Sequence, residues 1–418
     1  MSAAKRFISS SMYNATEKVL RIVINFAIFI LISNTLSIEE MGQYNFLLTA
    51  FAMLSVFSSF GLTENATKIF IDKVNSIKAF QALLAIKLCF SILFAVAGYF
   101  WLFDQNIYFF IGLILSSLSL SLQFLESMAL GKLILKVNSL VLFITSAIKI
   151  WACITHQDLA VFCQIFALEI LIQSALLFII SLSVAKPGSS QETMLSVLKG
   201  LKYRDFLYIW FSASISILYT KVDQFFVKFY LSDIDVGIYT YATRIVDYGL
   251  LLPSLIISSL MGYLYVLDKE KREVLFSTIV ITALALVILI NAASFLVAGF
   301  FLPKYQASLI IIGILSLGLP CALLRALTGK FLIIDGLNQP FLARATALLS
   351  INAFLCFFFI DWFGLYGAAL ANLITMLVSG FLIDLIHKDS TSFFKIKCRS
   401  VLKIMKLKAL LQEIKRLR

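Results

Sequence analysis

Charged residues are scarce in this sequence. They make up 14% of the 418 residues, whereas hydrophobic residues make up 61%, and the mean hydropathy is +0.97. An ordinary soluble domain has about 25% charged residues. The composition therefore excludes a soluble domain and predicts a polytopic membrane protein.

Residue patterns for metal binding or covalent catalysis are also lacking. The two histidines, His156 and His387, fall in predicted loops without a ligand partner at metal spacing. There is no phosphate-binding loop of the GxxxxGK[ST] type and no Ser-His-Asp or Cys-His constellation. The cysteines occur singly, mostly inside apolar runs, which excludes a disulfide framework and indicates small apolar fillers; they are Cys89, Cys153, Cys163, Cys321, Cys356 and Cys398. We expect no metal, no cofactor and no enzymatic activity.

Apolar segments long enough to cross a bilayer recur along the chain, and about 20 residues suffice for one crossing. Twelve are predicted, and they must be helical because lipid offers no partner for exposed backbone groups. They run over 12–36, 44–62, 79–103, 107–130, 137–155, 159–184, 206–231, 238–264, 274–301, 307–334, 341–362 and 365–386. The first run lacks a cleavage site, so we interpret it as a retained span.

Lysine and arginine are distributed unevenly between the predicted connections. Placing the N-terminus inside leaves only Lys304 in an outer connection, while the inner connections and the tail hold the other loop cations. This bias predicts cytoplasmic N- and C-termini. The net charge of +12 is thus mainly topological, and we do not expect a nucleic-acid partner.

The organisation predicted is an all-α fold with two six-helix bundles (6+6) around a central cavity. An N-terminal bundle (1–185) is followed by a cytoplasmic linker (186–204), a C-terminal bundle (205–386) and a basic tail (387–418). The tail is typical of an amphipathic helix on the cytoplasmic leaflet, attracted to anionic membrane lipids, with a disordered basic tail as the alternative. A weak repeat at an offset of 195 residues relates the two halves through Leu36/Leu231, Ser37/Ser232, Gly42/Gly237 and Tyr44/Tyr239. Two halves of six spans share one orientation, as in transporters built from two rocking bundles.

Charges inside the apolar runs are the candidate functional residues, most of all in the hairpin from Tyr219 to Tyr248. Each such charge costs a few kcal/mol at the bilayer centre unless it faces a partner or a wet cavity. The cations predicted to line a substrate-binding lumen are Lys18, Arg21, Lys87, Lys149, Lys221, Arg244 and Arg325. The acids predicted as ion-coupling candidates are Glu17, Glu126, Glu169, Asp223 and Asp247.

Embedded bases outnumber embedded acids, so a common lumen would be cationic and would select an anionic substrate. The planar arginine fork suits phosphate in particular. Two alternatives stay open for individual charges. Asp247 could simply pair with Arg244 at i, i+3, and Lys228, Lys330 and Arg344, near span ends, are predicted interfacial anchors.

Four segments together resemble a known family. They are KVDQFFVKFYLSDIDVGIYTYATRIVDY, LSIEEMGQYNFLLTAF followed by FGLTENATKIF, DGLNQPFLARATALLSIN, and FGLYGAALANLIT. They resemble Wzx-type polysaccharide repeat-unit flippases of the multidrug/oligosaccharidyl-lipid/polysaccharide exporter superfamily, over nearly the whole chain.

The resemblance implies alternating access around a central cavity in the bacterial inner membrane. The implied substrate is an O-antigen or related oligosaccharide linked through pyrophosphate to undecaprenol, moved from the cytoplasmic to the periplasmic leaflet for lipopolysaccharide or a similar glycan. It further implies H+ or Na+ as coupling ion, and a polysaccharide polymerase and chain-length regulator as partners.

Two other functions remain open at this point. A cation-coupled multidrug exporter of the same superfamily would be expected to embed more acids than bases, and this sequence shows the reverse. A membrane-embedded polysaccharide polymerase or glycosyltransferase would be expected to carry a large outer loop for its chemistry. The predicted outer connections are all short.

Overall fold

The computed structural model describes residues 3–73, 76–101, 107–128, 130–155, 158–185, 194, 197, 203–259, 269–335, 340–386 and 390–404. Their regular elements are helices, which confirms the predicted all-α fold. The helices are α1 (Ala3–Thr35), α2 (Ile38–Ser59), α3 (Leu62–Asp72), α4 (Ile77–Trp101), α5 (Ile107–Leu115), α6 (Leu120–Ser127), α7 (Gly131–Thr155), α8 (Leu159–Val184), α9 (Tyr203–Tyr230), α10 (Asp233–Ser259), α11 (Lys269–Phe300), α12 (Ser308–Ser316), α13 (Leu319–Ile334), α14 (Pro340–Gly380) and α15 (Thr391–Ile404). Short 3₁₀ segments lie at Ser116–Ser119, Pro303–Tyr305 and Leu382–Leu385.

Within the described residues, every predicted span lies mostly on helix, although two spans are broken. The fourth consists of α5, a 3₁₀ turn and α6, and the tenth consists of α12 and α13, bent by 40°. Judged by length and hydropathy alone, six helices in the described part of the chain could cross a membrane, or seven with the bent pair. Helices α9 and α10 are not among these six, because their charged residues lower their mean hydropathy.

The chain packs as two compact units, Met1–Leu218 and Tyr219–Arg418. Their boundary lies inside α9, later than the linker predicted at 186–204, most of which lies outside the described residues. The first half of α9 packs in unit 1, where Trp210 Nε1 donates to the Phe57 carbonyl at 2.8 Å. Gly61, at φ +68°, permits this packing because a Cβ there would lie 2.8 Å from the Phe206 carbonyl oxygen. The predicted division at the linker stays a prediction.

The weak sequence repeat has the same local geometry in both units. Ser37 caps α2, its hydroxyl accepting from the Glu40 amide at 3.2 Å while its own amide donates to the Glu40 carboxylate at 2.9 Å. Ser232 and Asp235 make the same reciprocal pair at the start of α10, at 3.2 Å in both directions. Each pair satisfies two backbone donors that a helix N-terminus leaves open. The repeat is therefore two equivalent helical hairpins.

A glycine turn in α14 brings two distant asparagines to one place in unit 2. Gly364 has φ 55° and ψ −131°, a conformation open essentially to glycine alone. Asn352 precedes this turn and Asn372 follows it, and both line one cavity. In a straight helix they would be about 30 Å apart, so the turn is what assembles this part of the site.

Candidate functional site

Unit 2 contains a cavity of about 220 Å³ between α9, α10, α12, α13 and α14. Four of the predicted embedded charges line it: Lys221, Asp223, Asp247 and Arg325. The amides of Gln224, Asn352 and Asn372 and the hydroxyls of Thr220, Thr243 and Thr375 share the lining. An ionic, hydrogen-bonding cavity in a largely apolar chain is a binding-site candidate, because buried polar groups are costly without partners.

Asp223 is the most deeply buried charge of the cavity, at 1% exposure. Its Oδ2 accepts hydrogen bonds from the Tyr239 hydroxyl and from Asn372 Nδ2, both at 2.6 Å. Its Oδ1 is buried and has no hydrogen-bond partner within the described part of the chain. A carboxylate held by two neutral donors, with one acceptor oxygen left open, can take up a proton or a small cation.

Lys221 and Asp247 form an ion pair across α9 and α10, with 3.1 Å between Nζ and Oδ2. The Lys221 ammonium also attracts the Asp223 carboxylate. Asp247 therefore pairs with Lys221, and the alternative pairing with Arg244 is not seen among the described residues. The cation on the facing helix comes within hydrogen-bonding distance, whereas Arg244, half-buried one turn away on α10, does not line the cavity.

Arg325 supplies a cation that no carboxylate neutralises within the described residues. Its guanidinium carbon lies 5.3 Å from the centre of the Tyr219 ring, and its buried Nε makes no hydrogen bond there. The nearby Arg344 guanidinium repels it electrostatically. A ring face at this distance attracts the guanidinium without using its N–H groups, which can still bond an anion.

The charges of this cavity balance, with two cations facing two carboxylates. The sequence analysis predicts a net cationic lumen from all embedded charges of the chain taken together. That wider lumen stays a prediction. Within unit 2, the cavity offers separate positions for a cation at Asp223 and for an anion at Arg325.

Among the described residues, the other predicted site residues do not line this cavity, and all of them except Arg244 belong to unit 1. Lys149 pairs with Glu169 across α7 and α8. Lys87 is buried on α4 and donates to Ser119 Oγ at 2.8 Å. Arg21 is half-buried on α1 and Glu126 is exposed on α6. The side chains of Glu17 and Lys18 lie outside the described residues.

Two predicted interfacial anchors have specific partners instead. Arg344 is buried and pairs with Asp384, 40 residues further along the chain. Lys228 pairs with Asp233 across the short turn between α9 and α10. Arg344 looked like an anchor because the local sequence around a span end does not show which distant carboxylate folds against it.

Tyr239, Asn352 and Asn372 are site residues that sequence reasoning did not select. Asn352 Nδ2 donates to the Tyr219 carbonyl at 3.1 Å, which ties α14 to the cavity wall. A usable signal was present, since an asparagine within an apolar span needs a hydrogen-bonding partner. Both asparagines also lie in segments that carried the family resemblance.

Three charged residues of the cavity have no charged counterpart in the first hairpin. At the repeat offset of 195 residues, Phe26, Ile28 and Ala52 of the first hairpin correspond to Lys221, Asp223 and Asp247. The two hairpins thus share a scaffold but differ in chemistry.

Comparison with solved structures finds similar folds over nearly the whole chain. A lipid II flippase, MurJ, in an inward closed conformation matches with a TM-score of 0.61 and 14% identity, covering 96% of this chain and 92% of that one. An inward-facing multidrug resistance MATE family transporter of the MOP superfamily matches with a TM-score of 0.62 and 14% identity, covering 95% and 99%. A MOP superfamily transporter from Pyrococcus furiosus, whose binding pocket is described as reversed in polarity, matches with a TM-score of 0.57 and 15% identity, covering 96% of each chain.

This chain has the twelve-helix fold of MOP superfamily transporters. It is a multi-pass membrane protein by its apolar helices and by that fold. No protein-family model matches the chain, and no curated protein sequence is significantly similar to it. At 14–15% identity the structural likeness concerns the fold alone.

Proposed function

We propose that this protein is an ion-coupled flippase and has no enzymatic activity of its own. It moves an undecaprenyl-pyrophosphate-linked oligosaccharide, an O-antigen or related repeat unit, from the cytoplasmic to the periplasmic leaflet of the bacterial inner membrane by alternating access. The observation that carries the proposal is the unit 2 cavity, which holds both Asp223 and Arg325. Among the described residues, one Asp223 carboxylate oxygen has no hydrogen-bond partner and no carboxylate neutralises Arg325. Similar folds that include a lipid II flippase support it.

The size of the cavity decides what it can hold. Sites for drug-sized ligands measure about 300–1,000 Å³, and this cavity measures about 220 Å³. It suits an ion or a single anionic group rather than a whole glycan. In the proposed function, Arg325 bonds the oxygens of the pyrophosphate while the sugars lie elsewhere.

Asp223 is the proposed coupling position. A buried carboxylate with one unsatisfied oxygen is costly, and uptake of H+ or Na+ removes that cost. Ion binding therefore stabilises conformations that enclose Asp223, and ion release favours conformations that open it. This differential affinity is what an ion gradient needs in order to drive a conformational cycle.

Deletion and complementation of the gene test the proposal in the bacterium that carries it. The deletion strain is expected to lose surface polysaccharide and accumulate lipid-linked intermediate. Arg325→Ala and Arg21→Ala are expected to restore less glycan than the wild type at equal membrane abundance, with the exposed Lys73→Ala as matched control. Unchanged glycan in the deletion strain would refute the flippase, and full restoration by both variants would show that these two cations are structural or peripheral.

A multidrug exporter of the same superfamily is the second candidate. The balanced charges of the cavity favour it, because a cavity without net positive charge does not select anions over cations. Expression in a drug-sensitive host separates the two: raised resistance to cationic dyes without any effect on glycan would support the exporter. Transfer of radiolabelled sugar by the purified protein would instead support the polymerase or glycosyltransferase. A polymerase and a chain-length regulator as partners stay predictions.

A further inference from the structure

Helix α15, which follows the twelfth span, has two chemically distinct faces. Phe393, Lys397 and Ser400 lie on the inner face and are at most 2% exposed. Lys395 and Arg399 lie on the outer face and are exposed, and Leu402 on the same side is 62% exposed. The helix is thus docked on one side and open on the other.

The docked face is fixed by several independent contacts. The Phe393 ring stacks on Phe331 with 6.2 Å between centroids. Lys397 Nζ lies 2.6 Å from Asp384 Oδ2 and donates to the Gly380 carbonyl at 2.6 Å. Ser400 Oγ donates to the Glu273 carbonyl of α11 at 3.1 Å. Because these contacts prevent the helix from rolling, the direction of the outer face is fixed as well.

The outer face combines cations with exposed apolar side chains. Lys395 and Arg399 are four residues apart, a spacing that places Cβ atoms about 5–6 Å apart on one side of a helix. Neither has an ion-pair partner among the described residues. Val401 and Leu402 follow within a turn, both exposed.

The surroundings of α15 are apolar where the twelfth span ends. Leu382, Leu385 and Ile386 are each about half exposed, at 52%, 48% and 53%. Large exposed apolar side chains at the end of a span are expected to face lipid. The outer face of α15 is therefore expected to begin a few residues beyond the point where the chain leaves the hydrocarbon, at the depth of the headgroups.

We propose that this outer face binds anionic phospholipid headgroups of the leaflet that it meets. Lys395 and Arg399 bond the phosphate oxygens, and Leu402 enters the boundary of the acyl chains. Charge complementarity carries the choice of partner, because the sequence continues with Lys403, Lys406 and Lys408 and no acid before Glu413. Exposed leucine beside the cations favours a lipid over a soluble anion, since a soluble anion gains nothing from an apolar neighbour.

The test uses the full-length protein in neutral detergent, titrated with dioctanoyl phosphatidylglycerol and, separately, dioctanoyl phosphatidylcholine, with bound lipids counted by native mass spectrometry. Each basic residue near an anionic surface contributes about 1 kcal/mol, and 1.4 kcal/mol corresponds to tenfold. The double variant Lys395→Gln/Arg399→Gln is therefore expected to bind phosphatidylglycerol about 30-fold more weakly at that site. Phosphatidylcholine binding is expected to be unchanged.

Two further variants separate the specific site from general effects. Lys68→Gln/Lys73→Gln removes the same charge from exposed positions on α3 and its C-terminal end, and it is expected to bind phosphatidylglycerol like the wild type. Leu402→Ser keeps all charges and is expected to weaken phosphatidylglycerol binding. All variants change exposed side chains, so an unchanged melting temperature without lipid shows that α15 remains docked.

Three results would overturn the proposal. The first is equal phosphatidylglycerol binding by the wild type and the Lys395/Arg399 double variant. The second is an equal loss in the Lys68/Lys73 control, which would indicate a bulk charge effect. The third is wild-type binding by Leu402→Ser together with displacement of the lipid by inorganic phosphate, which would indicate a soluble-anion site.

Discussion

Replacing Asp384 with asparagine should destabilise this protein more than replacing either of its cationic partners. Asp384 is fully buried, and it pairs with Arg344 at the start of the eleventh span and with Lys397 on α15. The cations are 8% and 0% exposed. Asparagine keeps the shape of the side chain but removes the charge, which leaves two buried cations beside each other.

The expected magnitudes follow from what each substitution leaves behind. Asp384→Asn leaves uncompensated buried charge, which costs about 3–5 kcal/mol of unfolding free energy. Lys397→Met leaves the Asp384–Arg344 pair intact and removes a charge-assisted bond to Gly380, worth about 1.5–3 kcal/mol. Part of that loss is offset because methionine carries no desolvation penalty. The double variant Asp384→Asn/Lys397→Met should therefore be more stable than Asp384→Asn alone.

The pH dependence gives a second, independent signature. Burial lowers the pKa of Lys397 below its ordinary value, and the Asp384 carboxylate opposes that shift. In Asp384→Asn the opposing attraction is lost, so the folded-state pKa falls further below that of the unfolded chain. The cost in unfolding free energy of burying the charged Lys397 is then fully present below the folded-state pKa. This cost falls as the pH rises through that pKa, because the unfolded chain binds the proton more tightly. Asp384→Asn should gain stability relative to the wild type as the solution becomes alkaline.

The assay is thermal unfolding of each purified variant in one detergent across a pH series, with Lys395→Met as a control that removes an exposed cation from the same helix. The control should have the same melting temperature as the wild type. Destabilisation by Asp384→Asn no greater than that by Lys397→Met would refute the reasoning, and so would additive losses in the double variant, which would mean that the two residues do not interact.

Three further predictions concern the cavity, the turn and unit 1. Asp223→Asn should abolish the dependence of transport on the ion gradient at equal membrane abundance, whereas Lys228→Gln should retain it; transport by Asp223→Asn that still follows the gradient would contradict its coupling role. Gly364→Ala should lower stability by about 1–3 kcal/mol because an L side chain is strained at that backbone conformation, and a melting temperature equal to that of the wild type would exclude such strain. Lys149→Ala should reduce stability more than the double variant Lys149→Ala/Glu169→Ala does, because the single change leaves Glu169 without its partner; the opposite order would show that the pair does not matter.

Local sequence was sufficient for the long apolar helices, but it did not show α3, the breaks in the fourth and tenth spans, or most of the helix ends. Leu159–Val184 was predicted as a span and is a helix over the same residues. The serine caps at Ser37 and Ser232 were visible as a repeat, because capping depends on residues three positions apart. Spans of about 20 apolar residues leave helix as the only structure that satisfies the backbone in lipid. The presence of charges in the hairpin from Tyr219 to Tyr248 was also evident without any structure.

Which charges meet was decided only by tertiary structure. Asn372 bonds Asp223 from 149 positions away, and Arg344 bonds Asp384 from 40 positions away. The sequence offered Arg244 as the partner of Asp247, but packing placed Lys221 there. Helical periodicity gives the face that a residue occupies, whereas the rotation and depth of one helix against another depend on the side chains of both. The amino-acid sequence by itself therefore determined a twelve-span helical membrane protein with costly embedded charges, and the packing of helices from distant segments decided which of those charges pair, which stay open, and where a site can form.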